Sequence, residues 1–193
     1  MNEHIEKAVE IINNGGIVIF PTDTAFGIGC RVDNEAAIQK LFKLRKRPEQ
    51  QATPVLVSSL DMAKAYWIEV PEEVVKKLIK PYWPGALTIV LPCKISKVPV
   101  LVRGGGTTLG LRMPNHETTL NIIKGVGVPI IGTSANFSGE QTPYTVEDLN
   151  PELKKLVDYV VPGKCPGQQA STVIDCSVEP WKILREGAVK LNF

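Results

Sequence analysis

The chain has 193 residues, 44% of them hydrophobic and 22% charged, with 22 lysines and arginines against 20 acidic residues. A chain of this length buries roughly 70% of its unfolded surface, so its core needs no disulfide or structural metal. No apolar run approaches the roughly 20 residues of a membrane span, and a net charge of +2 leaves attraction to nucleic acid to a local patch rather than to the whole molecule's field.

Ile5, Ala8, Val9 and Ile12 recur at helical spacing and Gly15-Gly16 closes the pattern, so the chain is expected to open with an amphipathic helix. The run IVIF then reads as a buried strand. After the loop PTDTAFGIGC, the spacing predicts a second helix over 34–46, with Asn34 as N-cap, Ile38, Leu41 and Phe42 inward and a basic last turn. TPVLV is strand-like, Ser59 can cap a short helix through residue 65, and Pro71 can start another carrying Val74, Val75 and Leu78. Beyond PYWPG the runs LTIVLP, PVLVR, TLGLRMP, VPIIGTSAN, STVIDCS and WKILREG read as short strands, interrupted by helices over 116–124 and 145–156. The expectation is one α/β domain over 1–193, a twisted mixed β-sheet flanked by helices. Strands in the second half lie too close in sequence for purely parallel winding.

The four cysteines, Cys30, Cys93, Cys165 and Cys176, form no CxxC pair, and the first residues lack a secretory leader pattern. Reduced thiols and a cytoplasmic setting are expected, with no membrane partner. There is no GxxxxGK[ST] loop, since Gly104-Gly105-Gly106 lacks the lysine. With only His4 and His116 as histidines, neither a His/Cys zinc site nor a Ser-His-Asp or Cys-His pairing is expected. An enzyme built from these residues would rely on positioning and electrostatics.

Polar clusters stand where strands end. PTDTAFGIG places Thr22, Asp23 and Thr24 directly after IVIF, where α/β proteins commonly bind ligands. LRKRP ends a helix with Arg45, Lys46 and Arg47; such a run can equally be a solvated face favoured by the helix dipole. LGLRMPNH puts Arg112 on a strand, as a surface residue or a two-pronged carboxylate clamp. GTSANFSG offers Ser134, Asn136 and Ser138, and Ser171 and Arg185 sit on late strands. Turn formation accounts for each cluster alone about as well as binding does.

Taken together, PTDTAFGIG, LRKRP, PYWPGALTIVL, LGLRMPNH, GTSANFSG, STVID and ILREGAV resemble the YrdC family in order and approximate spacing over nearly the whole chain. The length is similar to that of the family's short single-domain form. The resemblance implies an L-threonylcarbamoyladenylate synthase, which joins L-threonine, bicarbonate or CO2 and ATP into threonylcarbamoyl-AMP and pyrophosphate, for the threonylcarbamoyl modification of tRNA adenosine. It implies threonine contacts at Thr24, Arg112, Ser134 and Ser171, and ATP contacts at Arg47, Gln51, Thr108, Asn136, Tyr144 and Arg185. Arg45 and Arg47 would act electrostatically, without a covalent nucleophile. Mg2+ would arrive with the triphosphate, with no protein ligand assigned, and other proteins would pass the product's acyl group to tRNA. Weak tRNA or double-stranded RNA binding is implied too, and an RNA-binding maturation factor without catalysis is the alternative. Arg45, Phe26, Ser58 and Ala86 stand where the family usually has lysine, tyrosine, histidine and proline.

Overall fold

The computed structural model describes residues 2–191. Helix α1 (Glu3–Asn13) begins where the Asn2 side chain accepts from the His4 amide and buries Ile5, Ala8 and Ile12, as the spacing predicts. β1 (Val18–Phe20) follows, and its alternation decides the layering. Ile17 and Ile19 enter one hydrophobic cluster, while Val18 and Phe20 enter a second with α1 and α7 (Glu117–Val126). The sheet is therefore covered on both faces, and IVIF has no polar side.

β2 (Gly27–Gly29) lies in the segment read as loop and pairs antiparallel with β1. Its glycine-rich sequence carries little strand propensity, but a side chain on Gly29 would overlap the Ile131 carbonyl, so close backbone approach selects glycine there. α2 (Glu35–Arg45) starts at the expected Asn34 cap, whose side chain accepts from the Ala37 amide at 3.0 Å. It ends at Lys46, in the left-handed conformation at φ 53°. β3 (Val55–Leu56) and α3 (Leu60–Lys64), capped by Ser59, follow. The Pro71 helix runs as α4 (Glu72–Val74), a π turn (Val75–Ile79) and α5 (Lys80–Tyr82).

β4 (Leu87–Pro92), β5 (Thr108–Arg112), β9 (Thr172–Asp175) and β10 (Lys182–Arg185) form where expected. PVLVR does not. It is the short helix α6 (Val100–Arg103), preceded by Pro99 and ended by left-handed Gly104 at φ 57°; the breakers on either side outweigh the β-branched pattern. The helix expected over 145–156 is only α8 (Pro151–Leu156). Before it, Asp148 Oδ2 accepts from the Tyr144 and Thr145 amides at 3.0 and 2.8 Å, and Pro151 bars Asn150 from helical geometry. β8 (Tyr159–Val160), which the sequence reading passed over, pairs parallel with β1.

The mixed sheet divides into two ladders, of order β7-β2-β1-β8 and β10-β9-β4-β5-β3-β6. β6 (Ile130–Ile131) belongs to the larger and β7 (Thr133–Ser134) to the smaller, so one extended stretch crosses from one to the other at Gly132. A Cβ at Gly132 would overlap the Leu56 side chain.

Cys30, Cys93 and Cys176 are buried and all four cysteines are free thiols. Burial pushes the thiols of Cys30 and Cys176 up to about 12 and that of Cys165 to about 11, from 9.0. The unfolded thiols ionise first as pH rises, so their contribution to stability is complete below about 9 and is lost between that value and the folded ones. Iodoacetamide at pH 8 is expected to label the native chain at these three positions far more slowly than the urea-unfolded chain, read by mass spectrometry, and urea midpoints should fall above pH 9.

Candidate active site

A cavity of about 160 Å3 opens where the two ladders meet. Its walls include Thr22, Thr24 and Gly27 from the β1–β2 hairpin, Thr133 and Ser134 from β7, Arg112 at the end of β5, and Ser171 and Arg185 from the β9–β10 pair. Arg47 closes one side.

Arg112 is 6% exposed and its guanidinium is held on three sides. Nε donates to the Gly85 carbonyl at 3.1 Å, Nη1 to Thr24 Oγ1 at 2.9 Å and Nη2 to Asp23 Oδ1. Burial lowers its pKa, and the Asp23 charge offsets part of that. Register places it opposite Leu56 on β3, and its carbonyl accepts from the Val57 amide at 2.9 Å, so the arginine stands on a paired strand and not on a mobile loop.

Arg185 is an exposed residue of the edge strand β10, but a shift of register between Ile183 and Arg185 re-aims it. Its Nε donates to the Ser171 carbonyl at 3.0 Å and Nη2 to Ser171 Oγ at 2.9 Å. Ser171 Oγ in turn lies 3.0 Å from Thr88 Oγ1. Those two hydroxyls have two protons; one joins them, and the other is left to face the cavity. Burial lowers the Arg185 pKa, and Tyr144 acts on it in the opposite sense.

Left-handed Lys46 sends its neighbours to opposite destinations. Arg45, 2% exposed, turns inward: Nε donates to the Asn136 carbonyl at 2.9 Å, Nη1 to Thr133 Oγ1 at 2.9 Å and Nη2 to Asn136 Oδ1 at 3.1 Å. Burial first, and the Arg47 charge second, push its pKa down to about 10. Arg47 stays at the cavity, where its guanidinium donates to the Gln51 and Ala52 carbonyls at 3.2 and 2.5 Å. Gly104 keeps that short segment in place, since any side chain there would press on the Gln50 and Ala52 backbone.

Residues 10–187 match the model of the Sua5/YciO/YrdC family, whose description is telomere recombination. The chain belongs to the Sua5/YciO/YrdC family. Its relatives include the threonylcarbamoyl-AMP synthase of Bacillus subtilis (strain 168), 33% identical over 96% of this chain and 54% of that protein. Among solved structures, Pyrococcus abyssi Sua5 complexed with L-threonine superposes with a TM-score of 0.87 at 32% identity, covering 95% of this chain and 54% of that one. Escherichia coli YciO superposes with a TM-score of 0.86 at 26% identity, covering 96% and 90%. The chain thus spans about half the length of the first two relatives and most of the third.

Of the positions the family resemblance marks, Thr24, Arg47, Arg112, Ser134, Ser171 and Arg185 line the one cavity. Arg45 and Asn136 do not. They are bonded to each other beneath its wall, and Asn136 Nδ2 donates to the Glu140 carbonyl at 2.7 Å. The electrostatic role expected of Arg45 therefore becomes one of holding the loop that carries Ser134. Gln51 and Tyr144 stand outside the wall, Gln51 beside Arg47 and Tyr144 within electrostatic reach of Arg185. Thr108 lies at the far end of β5 from Arg112, opposite Pro92, away from the cavity. The sequence reading missed Thr88 and Thr142, both in the wall. Thr88 left a signal, a hydroxyl inside the apolar run LTIVL; Thr142 left none beyond the polar loop around it.

Proposed function

We propose that the chain is an L-threonylcarbamoyladenylate synthase that forms threonylcarbamoyl-AMP and pyrophosphate from L-threonine, CO2 or bicarbonate, and ATP. The observation that carries this reading is that Arg47, Arg112 and Arg185, far apart in sequence, converge on one cavity with the hydroxyls of Thr24, Thr88, Ser134 and Ser171. The reaction gathers anions, and its charge needs cations that are already in place. The Bacillus relative is named for this activity.

Each group then has a task. Buried Arg112 takes the threonine carboxylate, while Thr24, Ser134 and the Ser171–Thr88 pair meet its amine and hydroxyl. The ammonium loses one proton to water before its nitrogen bonds to the carbon of CO2 and a second as the carbamate forms; from bicarbonate, water leaves as well. A carbamate oxygen then attacks the α-phosphorus of ATP, and the bond to pyrophosphate breaks. Arg47 and Arg185 spread the phosphate charge as it shifts to the leaving group. No side chain needs to form a covalent intermediate.

Mg2+ would come with the nucleotide. The walls supply hydroxyl and guanidinium groups, which do not make a magnesium cage, the nearby Asp23 carboxylate is engaged by Arg112, and among the described residues no cluster of three or more His, Cys, Asp or Glu could hold a metal. Such an ion would be held by the phosphates and water.

Acyl adenylates hydrolyse readily, so the product would pass to proteins that move the threonylcarbamoyl group onto tRNA in a shared, cytoplasmic compartment. Among the described residues no helix is long and apolar enough to cross a membrane. The RNA-binding alternative rests on the basic end of α2, where Lys43, Lys46 and Arg47 line a shallow groove. RNA affinity that falls steeply with salt while adenylate synthesis is absent would favour it. The purified chain is expected to release pyrophosphate from ATP only when threonine and bicarbonate are both present. Release that ignores threonine overturns the reading.

A further inference from the structure

The hairpin loop that carries Thr24 also holds an acid for which the reaction above has no use. Asp23, its side chain 10% exposed, pairs with Arg112 Nη2 and is not part of the cavity wall. It meets the guanidinium at Nη2, and the Gly167 amide pins its backbone carbonyl at 3.1 Å.

A count of protons shows what this loop presents. Of the five N–H groups on Arg112, Gly85, Thr24 and Asp23 take three, which leaves one on each terminal nitrogen. That remainder suits a carboxylate approaching end-on. Thr22 donates its proton to the Ala25 carbonyl at 2.7 Å and accepts from the Thr24 and Ala25 amides at 3.1 and 3.2 Å. With its proton and both lone pairs so used, Thr22 Oγ1 offers no further acceptor at its 3.0 Å contact with Thr24 Oγ1. Thr24 Oγ1 accepts from Arg112 and keeps one lone pair free to accept from a ligand's donor, beside a fork that wants an anion. The two needs are those of an amino acid's two ends.

Charge sharpens the choice. Arg112 and Asp23 sum to zero, so a simple carboxylate leaves the buried unit negative, whereas a zwitterion brings its own ammonium. Arg185, close enough to act on Arg112 electrostatically, attracts both kinds of carboxylate alike and does not distinguish them. We infer that Asp23 is a specificity-determining residue that makes the site prefer amino-acid zwitterions to carboxylates lacking an amine, acting through the charge of Arg112 and not by touching the ligand. The inference rests on the threonine reading above.

Calorimetric titration of the intact chain with L-threonine and with 3-hydroxybutanoate, which is threonine without its amine, tests it. The wild type should favour threonine by roughly 100-fold, and Asp23→Asn should cut that preference by about tenfold, mainly by tightening 3-hydroxybutanoate. Asp23→Glu, which keeps the charge, should retain the preference. A merely structural role would lower the melting temperature of Asp23→Asn while weakening both ligands alike, and an unchanged ratio overturns the inference. Should Asp23→Asn not fold, Asp23→Ser, which also removes the charge, is read in its place, and an unchanged ratio refutes the role. A wild type that binds 3-hydroxybutanoate and threonine equally removes the inference alone; one that binds no threonine removes the functional reading beneath it.

Discussion

Arg112→Ala is expected to weaken threonine binding by roughly 100-fold or more, as truncation of a buried, hydrogen-bonded charge partner does, and to cost about 3 to 5 kcal/mol of folding stability. Two separate losses produce the pair of effects. The cavity loses its carboxylate receptor, and the fold keeps the Asp23 carboxylate, 10% exposed, with its guanidinium partner gone. Thr24 Oγ1 loses the donor that sits 2.9 Å away, so its hydroxyl no longer has a fixed orientation. Calorimetry with threonine and a urea titration read the two losses independently. Full threonine affinity in this variant would remove Arg112 from the site.

Arg45→Ala should cost a similar amount, about 3 to 5 kcal/mol, with nothing removed from the cavity wall. The three acceptors it leaves, the Asn136 carbonyl, Asn136 Oδ1 and Thr133 Oγ1, belong to a segment that is itself nearly sealed from water. Ser134 lies between them, so kcat/KM for threonine should fall along with stability. Arg45→Lys is the informative companion. An ammonium on a flexible stem can satisfy one or two of these acceptors but not a planar set of three, and an intermediate loss in both readings is expected. Equal activity of wild type and the alanine variant would show that the 133–136 segment holds its shape without Arg45.

The elements legible in the sequence were those with strong periodicity or an unambiguous cap. α1 ends ahead of Gly15-Gly16 and α2 starts at the Asn34 cap, as read from the sequence, and the apolar run of β4 reads directly as a strand. The misread segments share a physical cause, because local propensity and tertiary demand disagree in them. β2 is Gly-Ile-Gly, poor in propensity but required for close packing against Ile131. α6 is Val-Leu-Val-Arg, rich in strand formers but bounded by Pro99 and Gly104. Division of the mixed sheet into two ladders depends on Gly132, whose meaning is visible only once Leu56 is seen packed against it.

The site shows the same division. Polar clusters at strand ends marked the regions, the family resemblance singled out Thr24, Arg112, Ser134, Ser171 and Arg185 within them, and geometry brings these five together. What spacing could not reveal is direction. Arg45 and Arg47 are two residues apart and look equivalent, yet the left-handed Lys46 between them puts one under the wall and the other in it. Nor could sequence show that the partner of Arg112 in the free chain is its near neighbour in space, Asp23, 89 positions away.

The passage of one extended stretch through both ladders also bears on how this protein would come undone. The residues that line the cavity come from both sheets, Thr133 and Ser134 from one and Leu56 and Arg112 from the other, so a chain in which only one sheet has assembled has half a cavity. Substrate would accordingly act as a clasp on the whole molecule, slowing global opening while leaving the fraying of single edges untouched.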